Sequence, residues 1–230
     1  MDQLLRPLFN PQAADAGARG LLQPTPEDLS SLVGGWSGPR PLRVCSGGTS
    51  SRAAAAGQWT LDLRRTMAQV SWNPADQTVS IGGGCRMGEV LDKLYPLGRS
   101  VVGGLSGWPG VGYVLTGGMG PFSRELGLAV DQLQAVAGVW GSGEPFVLRR
   151  DRDQGTAEWR GLCGAAPFLA VVREVVLATQ PLRPLWIRTS TGSPEQLPDQ
   201  LIAAERSDPS SSLQWSWRSE ERRVGKEGER

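Results

Sequence analysis

The chain has 230 residues, a formal net charge of +1, 39% hydrophobic and 20% charged residues, which together indicate a globular protein long enough to bury a sizeable core. This near-neutral charge gives no support for binding to nucleic acid or to an anionic membrane. The chain contains no histidine, which excludes Ser-His-Asp catalysis, histidine metal ligation and histidine acid–base chemistry.

Three cysteines, Cys45, Cys85 and Cys163, stand far apart in the sequence. Their odd number and the lack of a C-x-x-C pair argue against a disulfide framework and against a zinc site, so no metal is expected. No apolar run approaches the length that spans a bilayer, and the N-terminus lacks the apolar core of a signal peptide. We therefore expect reduced thiols and a cytoplasmic protein without a membrane or nucleic-acid partner.

The first predicted helix follows an irregular lead-in over residues 1–23, which would contain a brief helix of its own. Thr25 is placed to cap the predicted helix and Pro26 to occupy its first position. Gly34 and Gly35 would end it.

A short strand over residues 41–45 runs directly into a turn of small polar residues and glycines. A strand that delivers such a turn commonly presents N–H and hydroxyl donors to phosphate oxygens. Serine and glycine are also the commonest turn residues, so the turn alone leaves both interpretations open. The turn residues are Ser46, Gly47, Gly48, Thr49 and Ser50.

The next segment predicts a strand, a hairpin and a helix. Residues 59–63 alternate as a strand does, and residues 70–72 and 78–81 form a hairpin pair around an Asn-Pro turn. Residues 87–94 follow a glycine triplet and carry apolar side chains on one face, which is typical of an amphipathic helix.

Residues 103–133 form a central stretch that is dense in glycine and almost free of charge before Arg124. Glycine loses much backbone entropy on folding, so a loop this rich in glycine requires a reason. Repeated tight turns in a compact β-rich region would supply one. A flat ligand or a phosphate held by backbone N–H groups would supply another.

Beyond the central stretch, residues 135–140 and 145–148 predict two strands and residues 151–156 a charged loop. Residues 158–162 predict a short helix, and residues 170–178 are so continuously apolar that they predict a strand in the centre of a sheet.

A turn is predicted at residues 164–168, before the apolar strand. The amino-acid composition changes after that strand. After residues 181–184, which contain two prolines, residues 185–189 predict the first strand of a new region and residues 194–204 a helix.

The order of these signals resembles the PCMH-type FAD-binding domain of the vanillyl-alcohol-oxidase and berberine-bridge-enzyme superfamily, over roughly residues 20–182. No single motif is specific, but their order is hard to obtain by chance. In chain order they are the turn Val44-Cys45-Ser46-Gly47-Gly48-Thr49-Ser50, the strand Leu61-Asp62-Leu63, the strand and helix from Ile81 to Leu94, the segments Trp108-Pro109-Gly110-Val111-Gly112 and Gly117-Gly118-Met119-Gly120, the run from Ser123 to Leu133, and the closing segment from Trp159 to Val172.

This resemblance implies an α+β protein whose PCMH-type fold consists of two α/β subdomains with mixed sheets, and it implies that FAD is the cofactor. The first turn, Ser46 to Ser50, would wrap the pyrophosphate. The central stretch would contact the pyrophosphate and the edge of the isoalloxazine, and Val172, or its neighbour Val171, would lie near the adenine or the flavin backbone contacts. The central residues implied in this way are Ser106, Gly107, Gly110, Val111, Gly112, Gly117 and Gly118.

The sequence departs from the family pattern at positions that matter for the cofactor. Thr49 and Trp108 replace the histidine and cysteine through which some members attach FAD, so any FAD should be held without a covalent bond. Cys45 replaces the usual arginine, which is expected to weaken pyrophosphate binding. The closing segment, residues 163–172, also retains only part of the family's motif.

The resemblance divides the chain into residues 1–184, an FAD-binding domain, and residues 185–217, the start of a largely missing substrate domain. Residues 218–230 resemble the translation of a common sequencing adapter, although an ordinary solvated charge run is the alternative. We therefore expect a truncated gene and a fragment that is inactive by itself.

The leading interpretation is a flavin-dependent oxidoreductase that oxidises an alcohol, hydroxy acid or sugar-like small molecule. The catalytic base would belong to the substrate domain, so no catalytic residue is assigned. One alternative is a non-catalytic flavin-binding subunit that passes electrons to a partner chain. Another is that the glycine-rich loops are purely structural and bind nothing.

Overall fold

The computed structural model describes residues 19–39, 41–50 and 53–216. Its strands are β1 Gly20–Leu22, β2 Arg43–Cys45, β3 Trp59–Asp62, β4 Val70–Asn73, β5 Thr78–Gly82, β6 Arg99–Ser100, β7 Leu133–Trp140, β8 Pro145–Arg149, β9 Ala170–Ala178 and β10 Gln180–Pro181. Its helices are α1 Leu29–Gly34, α2 Met87–Leu94, α3 Gly112–Leu115, α4 Ser123–Leu126, α5 Arg150–Asp153, α6 Ala157–Leu169 and α7 Leu197–Glu205, with 3₁₀ turns at Tyr95–Leu97, Ala129–Gln132 and Pro194–Gln196.

A three-stranded parallel sheet forms the first layer, in the order β1-β3-β2. Parallel pairing places Val44 of β2 beside Leu61 of β3, and Leu61 beside Leu22 of β1. Strand β1 was not predicted, because a strand of three residues shows too little alternation to be recognised in a sequence. This sheet delivers the turn that follows β2.

A five-stranded antiparallel sheet forms the second layer, in the order β4-β5-β9-β7-β8. Strand β9 lies in its centre, as its continuous apolar sequence predicted, and the 70–81 hairpin is confirmed as β4 and β5. A further antiparallel pair joins β6 to β10. The predicted α+β class is confirmed, with each sheet purely parallel or purely antiparallel rather than mixed.

Two buried clusters hold these layers together. The larger cluster packs α2, α3 and α6 against the antiparallel sheet, with Val90, Leu162 and Val175 fully buried. The smaller cluster joins α1 and the parallel sheet to β7 and β9, through residues such as Leu29 and Leu61. The smaller cluster therefore marks the junction between the two layers.

Several predicted elements differ from the structure. Helix α1 begins at Leu29 rather than at Pro26, because Thr25 bonds with both the backbone N–H and the carboxylate of Asp28 and so closes a separate turn ahead of the helix. The predicted loop at 151–156 begins inside the one-turn helix α5. No strand forms at residues 185–189. These residues are exposed, and none of the strands among the described residues pairs with them.

Helix α6 contains both the predicted short helix and the predicted turn at 164–168. Its backbone leaves helical geometry at Cys163 and at Gly164, where φ is +137°, so the turn is a kink inside one element. The predicted helix at 194–204 is confirmed as a 3₁₀ turn followed by α7.

Two predictions lie outside the described residues, namely the lead-in before residue 19 and the tail from residue 218. Within the described ranges, every helix is too short or too polar to cross a bilayer.

Candidate functional site

A cavity of about 940 Å³ lies at the junction of the two layers. Its volume is within the range of about 300–1,000 Å³ that is usual for small-molecule and cofactor sites. Its walls come from β2 and the following turn, the central stretch, the end of α1, and the passage from α6 into β9. The predicted site residues on these walls are Ser46, Gly47, Gly48, Thr49, Ser50, Gly110, Val111, Gly112 and Val172.

The two glycine-rich segments meet in this cavity at Gly47 and Gly110. A Cβ placed on Gly110 would lie 2.3 Å from the backbone nitrogen of Gly47, and a Cβ on Gly47 would lie 2.6 Å from the Cα of Gly110. Real side chains do not tolerate such distances from backbone atoms, so both positions require glycine. Two segments more than sixty residues apart therefore expose their backbones to one space.

The first turn has the backbone geometry of an anion-binding concavity. Gly48 has a φ of +76°, which glycine adopts freely and other residues adopt only with strain. Among the described residues, no backbone hydrogen bond uses the N–H groups of Gly47, Gly48 or Thr49. Successive N–H groups in such a turn form a site for phosphate oxygens.

The hydroxyl of Ser46 has a structural partner, because it donates a hydrogen bond to the carbonyl oxygen of Gly83. Gly83 in turn packs on β9, since a Cβ there would lie 2.2 Å from the carbonyl oxygen of Val172. The first turn, the end of β5 and β9 are thereby held together around the cavity.

Two further predicted site residues, Ser106 and Gly107, lie outside the cavity wall, and Gly107 is accounted for by packing against α2. Gly107 accepts a 2.8 Å hydrogen bond from the N–H of Gly88, and a Cβ on Gly107 would lie 2.7 Å from the Cα of Gly88. The hydroxyl of Ser106 accepts a bond from the N–H of Trp108 at 3.1 Å. Their contact with a cofactor stays a prediction.

Gly117 and Gly118 also lie outside the wall, with φ values of +113° and +72°. A Cβ on Gly118 would lie 2.6 Å from the Cβ of Ala129. These two glycines reverse the chain behind α3, and their role toward a ligand likewise stays a prediction.

The two positions of the family's covalent attachment differ in their surroundings. Thr49 lines the cavity, whereas Trp108 is half exposed outside the cavity wall. The guanidinium of Arg86 lies over the Trp108 ring, 5.2 Å from its centroid. Neither side chain has the imidazole nitrogen or the thiol sulfur through which the family pattern attaches FAD.

Cys45, which replaces an arginine of the family pattern, is buried behind the first turn. Burial, reinforced by the carboxylate of Asp62, raises the pKa of its thiol to about 12. Asp62 binds Arg64 through two hydrogen bonds of 2.8 and 2.9 Å, and both side chains are almost completely buried. The Arg64 guanidinium, which by itself would lower this pKa, is therefore paired with Asp62, and this pair supports the end of β3.

Tyr113 lines the cavity without offering a free hydroxyl. The hydroxyl donates a hydrogen bond to the carbonyl oxygen of Met119, and burial raises its pKa. This side chain spans the central stretch from α3 to the glycine-rich turn that follows, so its position is explained by packing.

Among the side chains on the cavity wall that sequence reasoning did not identify are Trp36, Arg43 and Phe168. Trp36 stands directly after the glycines that end α1, and Phe168 stands in the closing segment. Both residues lie in or beside segments that the sequence analysis had already identified, and this proximity could have indicated them. Arg43 is the one charged residue among the described residues of the wall, and its Nε atom donates to the side-chain oxygen of Gln58 at 2.5 Å. No acidic side chain faces an anionic ligand there.

Comparison with known proteins gives concordant results. The family model described as FAD binding domain matches residues 21–149. An FAD-linked oxidoreductase from Aspergillus terreus is 29% identical over 161 residues, which are 69% of this chain and 32% of that protein. 6-Hydroxy-D-nicotine oxidase from Arthrobacter nicotinovorans superimposes with a TM-score of 0.65 at 26% identity, over 71% of this chain and 37% of that chain.

A variant of berberine bridge enzyme has the same fold, with a TM-score of 0.66 at 20% identity over 76% of this chain and 37% of that chain. These matches confirm the PCMH-type fold that the order of the motifs predicted. The chain spans only 25% and 32% of the lengths of the curated relatives that it matches.

Proposed function

Because the chain belongs to the FAD binding domain family, with FAD as its cofactor, we propose that it is the cofactor domain of a flavin-dependent oxidoreductase acting on an alcohol, hydroxy acid or sugar-like small molecule. The observation that carries the proposal is the backbone contact of Gly47 with Gly110 inside a cavity of about 940 Å³. Because both segments line one cavity, we propose that the pyrophosphate lies beside the N–H groups of the first turn.

The residues present fit the charge and shape of FAD. The N–H groups of Gly47, Gly48 and Thr49 would hold the pyrophosphate, and no acidic side chain of the described wall opposes its charge. Bound FAD supplies the two-electron redox chemistry, and the protein supplies its binding and orientation. Thr49 and Trp108 would leave FAD bound without a covalent link.

A pair of glycine variants tests whether the first turn binds FAD. Gly48→Ala and Gly57→Ala both place a side chain on a residue of positive φ, at +76° and +68°, but Gly57 lies outside the cavity wall. The backbone strain is about 1–2 kcal/mol in each variant. Only Gly48→Ala should weaken FAD binding, measured by titration with quenching of flavin fluorescence.

The wild-type chain should bind FAD and release all of it on acid denaturation. A folded wild-type chain that takes up no FAD would contradict the proposal. Flavin that stays on the denatured chain would contradict the non-covalent mode of binding. Equal affinity of the two glycine variants would remove the first turn from the binding site.

We also propose a cytoplasmic location. The support is the odd number and wide spacing of Cys45, Cys85 and Cys163, which argue against the disulfide framework typical of an oxidising compartment. Cell fractionation with detection of the native protein tests this, and recovery from a secreted or membrane fraction would contradict it.

A further inference from the structure

Three buried side chains meet behind the start of the first turn. Cys45, the last residue of β2, lies beside Asp62, the last residue of β3, in the parallel register of the two strands. The carboxylate of Asp62 binds Arg64, two residues further along the chain. Cys45, Asp62 and Arg64 have exposed fractions of 1%, 2% and 6%. These three residues are called the buried anchor.

The side chain at position 45 points into the buried anchor. Cys45 lies outside the cavity wall, although its neighbours Val44 and Ser46 both line the cavity. Burial raises the pKa of the Cys45 thiol most, the Asp62 carboxylate raises it further, and the Arg64 guanidinium lowers it. Such charge effects act within about 4–6 Å, so the thiol lies close to both charged groups. A longer side chain at position 45 would therefore reach the same carboxylate.

Arg64 holds the Asp62 carboxylate through three hydrogen bonds. Its backbone N–H and its Nε atom donate to Oδ1 of Asp62 at 3.1 and 2.8 Å, and its Nη2 atom donates to Oδ2 at 2.9 Å. A guanidinium offers paired donors that match both oxygens of a carboxylate, whereas an ammonium group does not. Without this partner the carboxylate would be a buried, uncompensated charge.

The buried anchor is joined to the first turn on two sides. On one side Ser46, the first residue of the turn, directly follows Cys45 in the chain. On the other side Gly84 packs on Arg64, because a Cβ on Gly84 would lie 2.7 Å from the Cα of Arg64. The neighbouring Gly83 accepts the hydrogen bond from the Ser46 hydroxyl. A displacement of Arg64 would therefore reach Ser46 from both sides.

On the basis of the proposed function, we propose that Arg64 is a positioning residue of the FAD site. It takes the place of the arginine that the family pattern has at position 45, where this chain has Cys45. Through Asp62 it holds the first turn in the shape that binds the pyrophosphate. An arginine at position 45 and Arg64 are alternative partners for one buried carboxylate, and the anchor has room for one of them.

Moving the arginine tests this proposal. FAD affinity and urea unfolding are measured for wild type, Arg64→Ala, Cys45→Arg and the double variant Cys45→Arg/Arg64→Ala. The first change leaves Asp62 without its partner and the second adds a surplus buried guanidinium, so each should weaken FAD binding. The double variant should bind FAD about 2- to 150-fold more tightly than the product of the two losses predicts, which is the range of coupling within one network.

Arg65→Ala is the matched control. Arg65 is the next residue in the chain but is exposed, and its Nη1 atom donates to the side-chain oxygen of Gln23 at 3.3 Å. Arg65→Ala should leave FAD affinity unchanged. The double variant Cys45→Arg/Arg65→Ala should bind FAD no better than Cys45→Arg alone, because it leaves Arg64 in place.

Arg64→Lys distinguishes a role in FAD binding from a role in stability alone. Lysine keeps the charge without the paired bonds, so the folded variant should bind FAD more weakly than wild type. Wild-type affinity in folded Arg64→Lys would overturn the proposal.

The arginine-exchange variant Cys45→Arg/Arg64→Ala decides the matter even if the single variants do not fold. Folding and FAD binding by this variant would then support the proposal. An unfolded exchange variant, or losses that simply multiply, would overturn it. Failure of the wild-type protein to bind FAD would instead count against the proposed function itself.

Discussion

The backbone nitrogen of Gly47 and the Cα of Gly110 approach so closely that neither residue can carry a side chain. Gly47 follows a strand of the parallel sheet, whereas Gly110 belongs to the central stretch, and both line the same cavity. The contact explains why glycine is concentrated in two distant segments. It also suggests a pair of alanine variants that distinguishes loss of stability from this contact from the loss that any glycine substitution in this region causes.

Gly110→Ala should destabilise the protein, because its Cβ would lie 2.3 Å from the Gly47 nitrogen and 2.7 Å from the Ser46 hydroxyl oxygen. Overpacking of this kind costs about 1–3 kcal/mol. Gly112→Ala is the control, since a Cβ at Gly112 meets nothing within 4 Å and alanine favours the helix that starts there. Urea unfolding of both variants tests this, and equal stabilities would show that the contact is looser than described.

Breaking the buried pair of Asp62 and Arg64 should be among the most damaging single changes. The two side chains are 2% and 5% exposed, so Arg64→Met leaves a buried carboxylate without its partner. Removing one partner of a buried ion pair costs about 3–5 kcal/mol. A double-mutant cycle with Asp62→Asn should recover part of this loss, and strict additivity would mean that the two side chains do not interact.

Stability should decline in alkaline solution because of Cys45. Burial, and after it the carboxylate of Asp62, raises the pKa of its thiol from the ordinary value of 9.0 to about 12 in the folded protein. The folded state therefore keeps a proton that the unfolded state loses between pH 9 and 12. In this window the free energy of unfolding falls by up to about 1.4 kcal/mol per pH unit from this group.

Cys45→Val removes this titration and keeps an apolar side chain of similar size. The variant should therefore show a shallower fall of unfolding free energy above pH 9, measured by urea titration at several pH values, while its stability at pH 7 changes little. Identical pH profiles for wild type and variant would exclude Cys45 as the source of the slope.

Arg124 should control the attachment of the C-terminal segment. Its guanidinium donates to the carbonyl oxygens of Ala204, Glu205 and Ser211 at 2.7–3.0 Å, which are the exposed acceptors at and beyond the end of α7. Arg124→Ala should speed hydrogen exchange over residues 197–211. Arg188→Ala, in the exposed segment before α7, should not. Unchanged exchange in Arg124→Ala would show that other contacts hold the segment.

Much of the fold could be predicted because its signals are local. The 70–81 hairpin, helix α2 and strand β9 each carry their own periodicity or apolar run, so neighbours in the sequence suffice to identify them. Strand β1 and the true start of α1 could not be predicted, since a parallel strand of three residues depends on its partner and Thr25 was placed by a bond to Asp28.

The amino-acid sequence by itself determined which residues could take part in an FAD site. The order of its glycine-rich motifs identified the family, and Thr49 and Trp108 at the two attachment positions led to the expectation of non-covalent binding. Only the tertiary structure decided which glycines face the cavity. Gly47 and Gly110 meet there, while Gly107 packs against Gly88 outside it, because contacts between distant segments depend on how the two sheets are placed together. For the same reason Phe168 and Trp36 became parts of one wall only in the folded chain.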